Sequence, residues 1–444
     1  MAFGTHFFVI KNYFLSLVLL LVLSCASTGS FTKLDSAVER THYAESIELL
    51  EEKKYSLYSA EKDSVLYFLD KGMLSHYAGQ YEESSALLES GERAIETAFT
   101  KSVSRDIGSY LLNDNMLEYP GEDYEDIYIN TFNALNYYHR GEIEDALVEI
   151  RRMNNKLAYL ATKYDLLVSE LQQKALEEKL TQIPANPNAP AKFTDSALAR
   201  YLGMLFYRAD GLYDDARIDN EWLRLAFANA PQVYKHSPPS SIANELNIPK
   251  GKARFNIIAF SGLSPVKRSM EMRIPLPGSR WVKIALPELE HRRSEVTRIE
   301  AAFDHGESFN LELLEDLNAV AGETFKTRKN IIYLKSIIRA TVKGLSSSVL
   351  DSAAKEAGGE TGAILGLLSF ITQIFAETSE QADLRISRYF PARAYVGGIN
   401  LEPGVYSFTI KYYGGNNREI TSLRYTDMPI AENVLNLAEA VCLK

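Results

Sequence analysis

The stretch "YEDIYINTFNALNYYHRGEIEDALVEIRR", residues 124–152, decides how the first half of this chain folds. Its apolar residues recur at helical spacing, and Gly141 interrupts them about midway. Glycine adopts the left-handed backbone conformation that ends a helix and turns the chain. The spacing therefore predicts two antiparallel helices joined at Gly141. Small residues Ala134 and Ala146 lie where such helices cross, and small side chains there let the two backbones approach closely. Tyr137, Ile143 and Ile150 are placed to fill the space beside the crossing. Upstream, "FLDKGMLSHYAGQYEESSALLESG" (68–91) repeats the arrangement, with Gly79 at the turn and Gly72 and Ser84 at the crossing. Small residues are twelve positions apart in both copies.

From Gly72 onward the order of small residue, turn glycine, aromatic, small, large apolar and small resembles the tetratricopeptide repeat (TPR). A third copy, "YLGMLFYRADGLYDDARIDNEWL" (201–223), has Gly211, Tyr213 and Ala216, but Met204 stands at its first small position with Gly203 beside it. That pair must cross differently. A fourth candidate, "HYAESIELLEE" (42–52), lacks a convincing first helix. The turn glycines fall 62 and 70 residues apart, not the roughly 34 of tandem repeats, so further helices must intervene. One such helix is expected over 154–182, stopped by "PANPNAP". The expectation is an irregular TPR-like array over 36–235. The resemblance implies that the first helix of each hairpin lines a partner-binding groove. The lining residues would be Tyr77 in the first hairpin, Tyr128, Leu135, Tyr138 and His139 in the second, and Tyr201 and Arg208 in the third.

Periodicity changes across "HSPPSSIANELNIPKGK" (236–252), which reads as a linker between domains. Beyond it, residues alternate with period two. Met270, Met272 and Ile274 face one way in "MEMRIPLP"; Tyr406, Phe408, Ile410 and Tyr412 do so in "GVYSFTIKYY". Residues 253–444 therefore read as a β-sandwich-like domain, interrupted by a helical insertion at about 309–380. The insertion's segment 361–376, "TGAILGLLSFITQIFA", is uncharged but shorter than a membrane span. The fold class is α+β, in more than one domain.

At the amino end, "FLSLVLLLVLSCASTGS" (14–30) follows the single charge of Lys11. Its residues Val22, Leu23, Ser24 and Cys25 resemble the lipobox of bacterial lipoproteins. The resemblance implies a signal peptide over 1–24, lipid attachment at Cys25 including acylation of the new terminus, and a tether over 25–35. Ala26 is not the aspartate that retains such proteins at the inner membrane, so an outer-membrane anchor facing the periplasm is expected. The chain has 444 residues, is 46% hydrophobic and has a net charge of −10. An acidic balance of this kind argues against nucleic acid as a partner. Cys442 is the one cysteine besides Cys25, so lipidation leaves no intramolecular disulfide to form.

No H-E-x-x-H, G-x-S-x-G, Walker loop or G-x-G-x-x-G occurs, and the seven histidines show no metal-ligand spacing. No enzyme activity, metal or cofactor is expected. The chain as a whole resembles a poorly characterised family of bacterial TPR-containing lipoproteins. The residues that carry this are the lipobox, the 124–152 stretch, and "EQADLRISRYFPARAY" (380–395) ahead of "LEPGVYSFTIKYY" (401–413). Ile386 and Ser387 stand where that family has a tryptophan. The resemblance implies an envelope protein near cell-wall synthesis, binding a protein partner through the TPR-like groove and the membrane through its lipid. The rival readings are a hydrolase of envelope polymer or lipid, and a carrier of a small hydrophobic ligand.

Overall fold

The structure is a computed structural model that describes residues 31–104, 114–160, 162–177, 193–276, 280–357 and 381–444. The segment expected as a signal peptide (1–24), Cys25, "PANPNAP" and the 361–376 segment lie outside the described residues.

Mixed helix and strand divide as the sequence suggests, helices first and strands mostly after residue 252. Eight of the helices form four hairpins. They are α1 (Thr32–Glu39) with α2 (Tyr43–Leu57), α3 (Ser64–Tyr77) with α4 (Tyr81–Ser104), and α5 (Asp123–His139) with α6 (Ile143–Leu160). After α7 (Asp165–Glu177) comes the last pair, α8 (Ala197–Ala209) with α9 (Tyr213–Asn229). Each turn is closed by the same backbone bond, from the amide three residues past the helix to the carbonyl five residues back. The four are Gln80 to Ser75, Glu142 to Tyr137, Leu212 to Tyr207 and His42 to Ala37, the helix-ending pattern expected of a left-handed residue. Gly79, Gly141 and Gly211 have φ of 75°, 79° and 76°. In the first hairpin Thr41 occupies this position at φ 63°, a conformation costly for a residue with a Cβ. The weak fourth candidate is thus a hairpin whose first helix has eight residues.

The crossings match the small-residue reading. Ser84 Oγ donates to the Gly72 carbonyl at 2.8 Å, and a Cβ on Gly72 would stand 2.9 Å from Leu88 Cδ2. Ala134 and Ala146 are completely buried. In the last pair it is Gly203 that lies against the facing helix, where a Cβ would meet the Asp219 carboxylate at 2.1 Å. One stability prediction follows. Ala146→Leu should cost about 1–3 kcal/mol by overpacking, whereas Val148→Leu, on the exposed face of the same helix, should melt as wild type does. Thermal unfolding of the two variants checks it.

The helix expected over 154–182 is instead broken between α6 and α7. Lys163 Nζ and Tyr164 Oη, in the intervening turn, both bind Asp123 Oδ1, at 2.7 and 2.9 Å. Tertiary bonds hold a bend that the local helical pattern does not announce.

The strands are β1 (Ala253–Leu263), β2 (Val266–Leu276), β3 (Arg280–Glu290), β4 (Arg298–Phe303) and β5 (Ser308–Asp316). After α10 (Leu317–Ala357) come β6 (Pro391–Leu401), β7 (Gly404–Tyr413), β8 (Glu419–Ile430) and β9 (Asn436–Cys442). Instead of the two facing sheets of a sandwich, seven strands make one sheet in the order β8-β7-β4-β5-β6-β1-β9, and β2 pairs only with β3. Neighbours are antiparallel except β1 and β9. The sheet curls, because Tyr425 Oη on β8 donates to the Glu439 carbonyl on β9, at the opposite end of the order. Phe255, Phe303 and Phe408 pack inside that curl. The helical insertion begins at 317 rather than 309, since 308–316 is strand β5.

β1 is buried along its whole length. Phe255, Ile257 and Ala259 face the inside of the curl, while Ile258 and Phe260 face a second core shared with the helices. That shared core runs from Leu34 through α3, α5 and α8 to Leu437 and Leu443. The helical and strand-rich parts thus close over a common interior.

Candidate functional site

The inner face of the helical array is where partner-binding residues are expected, and a strand of the same chain lies against it. β9 alternates. Ala438, Ala440 and Cys442 face the inside of the sheet, and Leu437, Glu439 and Val441 face the helices. Tyr138 Oη receives the Leu437 amide at 3.1 Å and donates to the Leu437 carbonyl at 3.0 Å. Glu439 reaches between two helices. Its Oε1 is 2.7 Å from His76 Nε2, and its Oε2 is 2.7 Å from His139 Nε2.

A chain of hydrogen bonds fixes the protonation of His76. Ser84 Oγ gives its hydrogen to the Gly72 carbonyl, so it accepts from Asn136 Nδ2 at 2.9 Å. That orients Asn136 Oδ1 toward His76 Nδ1, 2.7 Å away. With an acceptor at each ring nitrogen, both donate, and His76 is an imidazolium facing a carboxylate. Burial alone would push His76 down, yet Glu439's charge and hydrogen bond carry it above the usual histidine value. Burial would raise Glu439, yet His76 and His139 hold it well below the carboxylate range.

The other expected groove residues are also engaged from within the chain. Tyr77 Oη donates to the Tyr389 carbonyl at 2.9 Å. Leu135 is completely buried in the shared core. Tyr128 Oη donates to Glu315 Oε1 at 2.5 Å, a carboxylate that also receives Ser196 Oγ and Tyr234 Oη. Tyr201 Oη accepts from Asn256 Nδ2 at 3.1 Å. Arg208 donates to Glu245 Oε2 at 2.9 Å and to Asn256 Oδ1 at 2.8 Å. Glu245, inside the stretch expected as a linker, is completely buried and also binds Arg254 at 2.7 Å.

Sequence reasoning missed the strand-side partners Glu245, Asn256, Glu315 and Glu439. One signal was present. Glu439 is the lone charge in "NLAEAVC", and a lone charge in a buried run requires a counter-charge.

Burial pushes Asp70 up to about 6 and Glu125 up to about 7. Such shifts often mark catalytic acids. In this protein each carboxylate is held by hydrogen bonds to the 387–388 segment, Asp70 from Ser387 Oγ and the Arg388 amide, Glu125 from the Ser387 amide. Neither they nor Glu315 and Glu439 line the cavities of about 310, 280 and 90 Å³ elsewhere in the molecule. Their geometry ties chain segments together. Among the described residues no group of three or more His, Cys, Asp or Glu side chains is placed to hold a metal ion. Nor is any described helix long and apolar enough to cross a membrane.

These shifts set a pH dependence. Between their ordinary values and about 6 to 7, folded Asp70 and Glu125 hold protons that the unfolded chain has released, so stability falls as pH rises through that window. His76 acts in the same direction: its contribution is complete below about 6.5 and is lost as pH climbs through its raised value. Glu439 acts oppositely, contributing above about 4.5 and losing that contribution below. Stability should therefore peak at about pH 4, where the gain from Glu439 meets the loss from Asp70, and decline toward pH 8, which urea unfolding at a series of pH values measures.

No protein-family model, curated protein or solved structure matches this chain.

Proposed function

We propose that this chain is a lipid-anchored lipoprotein of the bacterial envelope, acting as a non-enzymatic TPR-type scaffold near cell-wall synthesis. The observation that carries the reading is the four hairpins with one turn geometry, whose inner face holds an extended strand. Extended segments are what TPR grooves bind, and the residues expected to do so, from Tyr77 to Arg208, are engaged here by the chain's own strand-rich half. The lipobox residues Val22 to Cys25 supply the anchor in this account.

With β9 in the groove, an envelope partner is assigned to the outer surface. On α9, Ile218, Trp222 and Leu225 lie on one face at helical spacing, and each is more than 40% exposed. Apolar side chains exposed together on one face are a recognised mark of interaction sites.

Two measurements in cells test the reading. Cys25→Ala should abolish labelling by a radioactive fatty acid; equal labelling of wild type and variant would remove the anchor. A photocrosslinker at Trp222 should capture an envelope protein. Capture from Tyr138 instead would mean that a partner displaces β9 and occupies the groove.

A further inference from the structure

β2 and β3 form a two-stranded sheet of their own. Its near end is tied to the body, where Lys267 on β2 binds Glu122 and, at 2.9 Å, the Arg385 carbonyl. Farther along, Met272, Ile284 and Leu286 pack with Ile337 of α10. Side chains alternate along a strand, so the opposite face carries Arg273, Trp281 and Lys283. The pairing agrees. Arg273 stands opposite Lys283 and Pro275 opposite Trp281, one step from the last pair, Leu276 and Arg280. Trp281 is 65% exposed, the more exposed of the chain's two tryptophans. Lys283 pairs with Glu271 at 2.8 Å, but in the open, with side chains 45% and 60% exposed, and such a pair contributes little. The far end of the hairpin is also distinct in charge. Residues 272–287 contain Arg273, Arg280 and Lys283 and no acid, in a chain whose net charge is −10.

We propose that the far end of this hairpin rests on an anionic lipid surface, with the Trp281 ring among the headgroups. Tryptophan favours that depth because its body is apolar and its N–H polar. Each cation close to an anionic leaflet strengthens binding about fivefold. That attraction fades within about 10 Å at 0.1 M salt, so the cationic hairpin end is drawn in while the acidic body is not. The contact lies at the interface and crosses nothing. It does not depend on lipid at Cys25: an anchor holds a chain at a membrane, whereas the hairpin would fix which side of the molecule faces it.

Fluorescence of the purified full chain carrying Trp222→Phe, which leaves Trp281 as its one tryptophan, tests this with phosphatidylcholine vesicles made with and without phosphatidylglycerol. With phosphatidylglycerol, Trp281 emission should move to shorter wavelength and be quenched by brominated lipid. Without it, the lipid concentration giving half the shift should be at least about tenfold higher. Arg273→Gln combined with Lys283→Gln should raise that concentration by about tenfold or more, as two cations at about fivefold each provide. Because the readout is the ring itself, a chain held to vesicles only through its amino end keeps a water-like emission, and the anchor is judged separately by fatty-acid labelling. The proposal is overturned if neither vesicle changes the emission, if both change it equally, or if the doubly substituted chain responds as the parent does.

Discussion

Glu245→Ala is expected to be the most damaging single change in this protein, costing at least about 3–5 kcal/mol. Its carboxylate is completely buried and binds two guanidiniums, Arg208 and Arg254, which are themselves almost inaccessible. It also accepts from Asn256 Nδ2 at 2.7 Å. Removing it leaves two cations in an apolar interior with no counter-charge, and that desolvation cost exceeds what the pairs contribute when intact. A loss of this size approaches the whole roughly 5–15 kcal/mol of a domain. Glu402→Ala supplies the contrast. Glu402 pairs with Lys252 at 2.6 Å, but in the open, with the carboxylate side chain 68% exposed. Its removal should leave melting unchanged, because solvent already screens an exposed pair. Chemical denaturation of the two variants separates the cases, and equal effects would show that Glu245 is not the hub of a buried network.

Glu439→Ala is the second large effect, expected at about 3–5 kcal/mol for removing one partner of a buried pair. It leaves His76 with no acceptor at Nε2, and the ring then loses its reason to be charged. The variant should therefore melt lower and also lose the part of the stability decline above about pH 6.5 that His76 contributes. A variant with lowered stability but an unchanged pH profile would show that His76 is not the charged partner of Glu439.

The helical hairpins are legible in the sequence because their determinants are local. Gly79, Gly141 and Gly211 sit at turns that need positive φ, and the small residues at 72, 84, 134 and 146 sit where helices touch. The occupant of the groove is not legible, because it is set by contacts across about 300 residues, such as His139 to Glu439. β9 is also disguised by composition. "NLAEAVC" contains alanine and glutamate, which favour helices over strands, and it is stabilised as a strand by pairing with β1 and by burial on both faces. β5 hides similarly: "SFNLELLED" runs into α10 without a turn signal. The curl of the sheet depends on which strands end as edges, and nothing in the period-two alternation encodes that order. Of the candidate site, the helix-side residues were readable from their spacing, while their acceptors Glu245, Asn256, Glu315 and Glu439 required the three-dimensional arrangement.

The central claim is that the inner face of the helical array is covered by the chain's own strand-rich half, with β9 held against α3 and α5 through His76, Tyr138 and His139. A photoreactive benzoylphenylalanine in place of Tyr138, activated in the purified full chain and mapped by mass spectrometry, tests it most directly. The account predicts an intramolecular adduct on the peptide containing Leu437 and Glu439. An adduct between two molecules, or one lying wholly outside residues 436–442, would contradict it.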